Sequence, residues 1–450
     1  MQRLSRFFQI RRNRRSRLST RNSEFSKVQP GPKAPHVLII VQNLPVPLDR
    51  RVWLECTTLV SSGYDVSVIC PKGPGDPSYQ EIEGIRTFKY APPPQATGLI
   101  TYAFEFAYCW IRTAWLTLRA GRGKRFDAIQ ACNPPDTFWL LARFYKRSGV
   151  KFIFDQHDLC PEIYASRGKD GPDPRVHKAL LWLERQTYQT ADHVIATNKS
   201  YREMALTRGG CSPGNITIVR SGPDVLQMKR SETEPELRRG ARYLCTYLGI
   251  MGYQDRVDVV IRAADYLINR EGRTDIHFAL LGFGDTLEAN KRLAESYGLS
   301  PYVTFTGRAD LTTITRYLST TDVGLAPDPK TAFNDKSTHN KVLEYMAFEV
   351  PVVSFDLTES MYSAAEAGRF VQGAGNVDDG EIASFADAIV ELLDDAPRRA
   401  LMGVIGRQRI ESELGWHVSE ANYLAVYDQL LRPHIVADTT ANHSFATAAR

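Results

Sequence analysis

The segment 334–353, NDKSTHNKVLEYMAFEVPVV, concentrates more usable chemistry than any other part of the chain. A polar, donor-rich loop runs into a short helical pattern and then an apolar strand pattern. The first turn of a helix carries unpaired backbone N–H groups and the positive end of the helix dipole, so it can seat a phosphate. Asn340 and Lys341 fall in that turn, and Glu344 lies three residues beyond Lys341 on the same face. One element thus offers a cation for a diphosphate and a carboxylate for sugar hydroxyls. The plain alternative is an amphipathic helix with a solvated Lys–Glu pair.

Other candidates lie earlier. In Asp49-Arg50-Arg51-Val52-Trp53-Leu54-Glu55, Arg50 or Arg51 could grip a diphosphate with a two-pronged guanidinium. The alternative is an arginine paired with Glu55 or Asp49 at a helix start. Asp155-Gln156-His157-Asp158 follows a strand pattern, which places His157 on a loop at a strand's carboxyl end with Asp158 as its orienting partner. Gly282-Phe283-Gly284 is a strand-to-turn G-x-G, weak by itself. Asp136, after Asn133-Pro134-Pro135, suits the start of a helix. No acidic D-x-D run stands at a strand end, so metal-independent chemistry is expected.

The elements that must position these residues alternate. His36–Gln42 is a continuous apolar run of buried-strand type, followed by a helical stretch at Arg51–Ser62 and a strand at Asp65–Cys70. Asp127–Ala131, Lys151–Asp155, His193–Ala196 and Thr217–Val219 read as further strands, with a helix at Thr137–Arg147. After a charge-dense stretch at Lys229–Arg242 the pattern restarts. Strands are expected at Tyr243–Leu248, His277–Leu281, Val303–Phe305, Val323–Ala326 and Val352–Phe355, with helices between them. Two such sets predict two Rossmann-like, doubly wound α/β domains whose ligands sit beyond the strands' carboxyl ends. The expected divisions are a basic tail over 1–35, an N-terminal domain over 36–228 and a linker over 229–242. A C-terminal domain over 243–410, a terminal helix over 411–432 and a tail over 433–450 complete them.

A chain of 450 residues, 43% hydrophobic and 24% charged, suits a globular protein of two domains. Its seven cysteines are scattered, which argues for reduced thiols, a cytoplasmic setting and no zinc site. Ten Lys/Arg against Glu24 give residues 1–35 a charge of +9, which leaves −4 on the rest of a chain whose total is +5. A body without a basic face does not fit nucleic acid. The tail fits an anionic membrane surface or a leader without a role. Gly98–Leu118 is rich in aromatic residues but carries Glu105 and Arg112. It suits a core helix or an interfacial helix better than a membrane span.

Asn340-Lys341-x-x-Glu344-Tyr345-Met346-Ala347, followed by Val350-Pro351-Val352-Val353, resembles the donor-site signature of the family 4 glycosyltransferases. The likeness runs from about His36 to Leu431. The complete match at Asp49–Trp53 and Glu55 is similar to the family's WbuB-like bacterial surface-polysaccharide subgroup. The resemblance implies a GT-B fold, two Rossmann-like domains facing across a cleft, with the terminal helix crossing back to the first domain. It implies retaining transfer from a nucleoside-diphosphate sugar to a lipid-linked or oligosaccharide acceptor, without a metal cofactor. His157 would contact the donor sugar, Lys341 the leaving diphosphate and Glu344 the ribose. Arg50, Arg51, Asp158, Gly282, Gly284, Lys336 and Asn340 would complete substrate binding. Peripheral contact with the inner face of a membrane is expected.

Two departures stand out. The family's E-x7-E signature has Lys336 in place of its first Glu, with Asp335 one residue off. Ile250 and Asp255 stand where relatives carry phosphate-binding Arg and Lys, so Lys341, with Lys336 or Lys330, would have to compensate. These losses leave a second reading open, a catalytically decayed nucleotide-sugar-binding or assembly protein of the same fold.

Overall fold

A computed structural model describes residues 34–93, 99–166 and 172–431. The expected tails lie outside these residues, apart from Ala34 and Pro35 at the root of the first. The N-terminal domain is built on an eight-stranded sheet: β1 His36–Ile40, β2 Asp65–Pro71, β3 Tyr79–Ile82, β4 Ile85–Tyr90, β5 Ala128–Cys132, β6 Lys151–Gln156, β7 His193–Ala196 and β8 Ile216–Ile218. Their order is β3-β4-β2-β1-β5-β6-β7-β8, parallel except for β3 against β4. The C-terminal sheet has six parallel strands: β9 Tyr243–Ile250, β10 Ile276–Phe283, β11 Val303–Gly307, β12 Val323–Ala326, β13 Val352–Phe355 and β14 Gly368–Val371. Their order is β11-β10-β9-β12-β13-β14.

The central strands are apolar on both faces because helices cover both faces. The helices Arg50–Ser61 and Trp416–Leu431 share one core with β1 and β2. The helices Leu99–Ala120 and Trp139–Lys146 share the core on the other side. Strand order reverses between β1 and β5 in the first sheet and between β9 and β12 in the second. Those two reversal points are where ligand crevices open in doubly wound sheets.

The helix Trp416–Leu431 does cross back. Trp416, Tyr423, Val426 and Tyr427 complete the core around Val37, Ile39 and Val66. Trp416 Nε1 donates to Thr58 Oγ1 at 3.1 Å, and Tyr64 OH to Asp428 at 2.8 Å. The expected linker is placed differently. Val219 belongs to the N-terminal core, whereas Met228 already packs with Leu244 and Leu248. The passage therefore runs ahead of the charged stretch, which lies on the C-terminal domain through Ser231 to Ser319 and Arg238 to Asp322. Charge density marked a surface-bound strap, not the crossing. The return crossing lies beside the first: Trp416 N–H donates to Pro223 O at 3.1 Å, and a Cβ on Gly222 would sit 2.0 Å from Leu414 O.

Candidate active site

Side chains from the carboxyl ends of both sheets meet at the domain junction. In the N-terminal domain, Asp49 caps the Arg50–Ser61 helix by accepting from Val52 N–H at 3.1 Å. The next two residues part ways. Arg51 turns inward and is buried. It reaches Asp155 at 2.8 Å, Glu55 at 3.0 Å, Val219 O at 2.9 Å and Ser221 Oγ at 3.0 Å. Arg51 is thereby committed to the interior, and its expected role in substrate binding is withdrawn. Arg50 is exposed and crosses the gap to Glu344 of the C-terminal domain at 2.7 Å.

His157 follows β6. Its Nε2 lies 2.8 Å from Asp155 Oδ2 and 3.1 Å from Arg51 Nε. One nitrogen cannot donate to the carboxylate and accept from the guanidinium together. The nearer, charged Asp155 assigns the proton to Nε2 and the lone pair to Nδ1. Asp155 thus orients the imidazole through Nε2. Burial opposes ionisation of Asp155, but Arg51 and then His157 outweigh it and hold its carboxyl below the usual range. Burial, and then the charge of Asp155, pushes Glu55 well above its usual range. Gln130 Nε2 spans the two carboxyls at 2.8 and 2.9 Å. Glu55, Cys132, Asp155 and His157 stand close enough to ligate an ion together, but Arg51 already supplies a positive charge there. The loop itself is set by Asn133. Its Oδ1 accepts from the N–H groups of His157 and Asp158 at 2.7 and 3.1 Å, and its Nδ2 donates to Asp158 O at 2.8 Å.

In the C-terminal domain the helix is Asn340–Ala347, with no side chain capping its start. Asn340 is exposed there. Lys341 and Glu344 are both buried. Lys341 Nζ is held by both oxygens of Asp328 at 2.7 and 2.9 Å, with Asp255 at 3.6 Å. Burial would depress the ammonium's pKa, but Asp328 and then Asp255 raise it above the ordinary value. Burial lifts Asp255 to about 6. It also raises Glu344, which Arg50 pulls back down. Asp255 is thus not a void left by a missing cation but a second acid on the one remaining lysine.

The expected helpers make contacts of their own. Lys330 pairs with Asp356 at 2.8 Å. Lys336 Nζ donates to Ala332 O at 3.3 Å, while its carbonyl accepts from Asn198 Nδ2 at 2.8 Å across the domain interface. Asp335 does not replace the missing glutamate; its carboxylate accepts from Thr358 N–H at 2.9 Å. Gly282 and Gly284 have a packing reason. A Cβ on the first would meet Gly249 O at 1.9 Å, and on the second the Met251 backbone at 2.7–2.9 Å. Asp136 lies short of the helix, which starts at Trp139; it is buried beside Asn133 and raised by burial to about 6.

Residues 48–222 match the model described as "Glycosyl transferase 4-like domain", and residues 242–395 match "Glycosyl transferases group 1". The chain belongs to the family 4 glycosyltransferases, enzymes that take a sugar from a nucleotide-sugar. A glycogen synthase of Mycobacterium tuberculosis is 24% identical over 399 residues, covering 84% of this chain and 90% of the relative. Among solved structures, sucrose-phosphate synthase from Thermosynechococcus elongatus aligns with a TM-score of 0.71 at 18% identity, covering 89% and 100% of the two chains. HepE from Anabaena, in complex with UDP-glucose, aligns with a TM-score of 0.64 at 13% identity, covering 88% and 99%. These likenesses establish the GT-B fold.

Proposed function

We propose that this chain transfers a hexose, with retention at the anomeric carbon, from a nucleoside-diphosphate sugar to a lipid-linked glycan acceptor in surface-polysaccharide assembly, as in the WbuB-like subgroup. One observation supports the reading above the rest. Arg50 meets Glu344 at 2.7 Å across the junction, Lys341 shares the Glu344 helix, and Arg51, next to Arg50 in the chain, touches His157 at 3.1 Å. Groups suited to a ribose, a diphosphate and a sugar ring thus lie on, or in contact with, the two helices that this ion pair joins.

In this mechanism Glu344 exchanges Arg50 for the ribose hydroxyls, and the released guanidinium turns to the phosphates. Lys341, the uncapped helix start and Arg50 stabilise the charge that builds on the departing diphosphate. His157 steadies the sugar through Nδ1. The leaving phosphate oxygen takes the acceptor's proton on the same face, so no side-chain nucleophile is assigned. Closure of the two domains excludes water. The acceptor's lipid would keep the enzyme peripheral to an anionic membrane.

Thermal-shift screening against a panel of nucleotide-sugars, beginning with UDP-glucose, identifies the donor because a ligand raises the melting temperature by mass action. Transfer is then measured in a paired variant, Lys341→Met with Asp328→Asn. Lys341→Met alone would strand buried Asp328, at a cost of about 3–5 kcal/mol. The paired variant removes both charges, and transfer should fall about a hundredfold or more. Near-normal turnover in the folded pair would remove Lys341 from the mechanism. Tight donor binding by the unmodified protein, with neither transfer nor hydrolysis, would restore the reading as a binding or assembly protein.

A further inference from the structure

The helix Leu99–Ala120 is apolar on two opposite sides. Cys109, Leu116 and Ala120 enter the domain core. Phe104, Ile111, Trp115 and Leu118 point away from it and are 66%, 62%, 49% and 60% exposed. With Ala107, these outward residues fall within an arc of about 80° at 3.6 residues per turn. The neighbouring helix Trp139–Lys146 buries Leu141 and Ala142 in the same core and turns Leu140 and Phe144 outward. An exposed apolar surface of this extent marks a contact.

Charge says what kind. Residues 99–125 and 139–147 hold eight Lys/Arg and one acid, Glu105, on a body whose balance is −4; Lys124 and Lys146 pair with Asp65 and Asp192, which leaves the six arginines to set the sign of this face. Arg112 and Arg119 lie over the Trp115 ring at 5.3 and 5.8 Å. Their heads thus stay beside the apolar stripe, as snorkelling side chains do. The root of the basic tail is at this corner too, because Lys124 Nζ donates to Ala34 O at 2.6 Å. The ten Lys/Arg of residues 1–33 precede that point in the sequence. A second copy docked face to face would set this basic island against itself.

We propose that this outer face of the N-terminal domain docks on an anionic lipid surface. The apolar stripe enters the headgroup boundary while the surrounding arginines meet lipid phosphates. The docking rests on the lipid-linked acceptor reading only for its purpose. Because its readout is sedimentation, an incorrect acceptor leaves it standing, and failed docking leaves the cleft's assignment standing.

The full chain is sedimented with vesicles of phosphatidylcholine alone and with about one third phosphatidylglycerol. Binding is expected only to the anionic vesicles, and it weakens as salt rises. A variant carrying Phe104→Ser, Ile111→Ser, Trp115→Ser and Leu118→Ser should bind about tenfold more weakly or less, with its melting temperature preserved. Arg112→Glu with Arg119→Glu should act in the same direction. Undiminished binding by the serine variant would leave the tail as the sole anchor and overturn the proposal. So would failure of the unmodified chain to bind, or a dimer dissolved by the serine changes without any vesicle binding.

Discussion

Arg50 and Arg51 are adjacent, identical in type and opposite in use. Arg51 neutralises a buried cluster, so Arg51→Met should destabilise the fold by about 3–5 kcal/mol through the stranded carboxylate of Asp155. Arg50→Met should destabilise the fold less than Arg51→Met, because Arg50 is half exposed and buried Glu344, already raised by burial, can take up a proton once the arginine is gone. It should nonetheless weaken transfer by about tenfold or more if the arginine serves the phosphates. Melting curves and donor kinetics on the two variants check both statements. The two are indistinguishable in sequence because a motif records residue type and order, not which side chain turns inward. The same limit hid Asp155, Asp328 and Asn133. A single acid or amide after a strand looks like any turn residue until packing buries it. Helix and strand patterns placed Lys341, Glu344 and His157 at element ends, and the roles proposed for them come from the family resemblance.

At the scale of elements, three strands begin with the same device. His36 in β1, His193 in β7 and His277 in β10 each pair Nε2 with a hydroxyl on the adjacent strand, Ser67, Thr217 and Thr304, at 2.9 Å. Burial lowers all three, His193 and His277 to about 4. Between that value and the unfolded value near 6.5, the unfolded chain binds more protons than the folded one. Their contribution is therefore intact above about pH 6.5 and is lost as pH falls toward 4. His277→Gln should lose less melting temperature than the unmodified protein between pH 7 and pH 5. An equal loss in both would dismiss the account for that residue. Most elements were legible in the sequence because strands buried on both faces are uninterrupted apolar runs, as HVLII is in β1. The β3–β4 pair was not. The residues of β3, YQEI, lie half-buried or exposed at the sheet's edge, where little hydrophobic pattern is imposed.

For the whole molecule, the two crossings behave as one joint. Gly222 lets them touch, so Gly222→Ala must push Leu414 O away. The substitution should destabilise the fold by roughly 1–3 kcal/mol and alter the separation of the domains, as melting and small-angle scattering would report. The second crossing also delivers Tyr423 and Tyr427, whose hydroxyls donate to Gln130 Oε1, and Gln130 holds Asp155 beneath His157. Residues separated by nearly 300 positions thus finish one domain. On the ribosome, the N-terminal sheet emerges long before the helix that closes its core. The nascent first domain must wait, with an apolar flank open, until residues 416–431 clear the exit tunnel. A gene truncated after the first domain should yield aggregate instead of a working half.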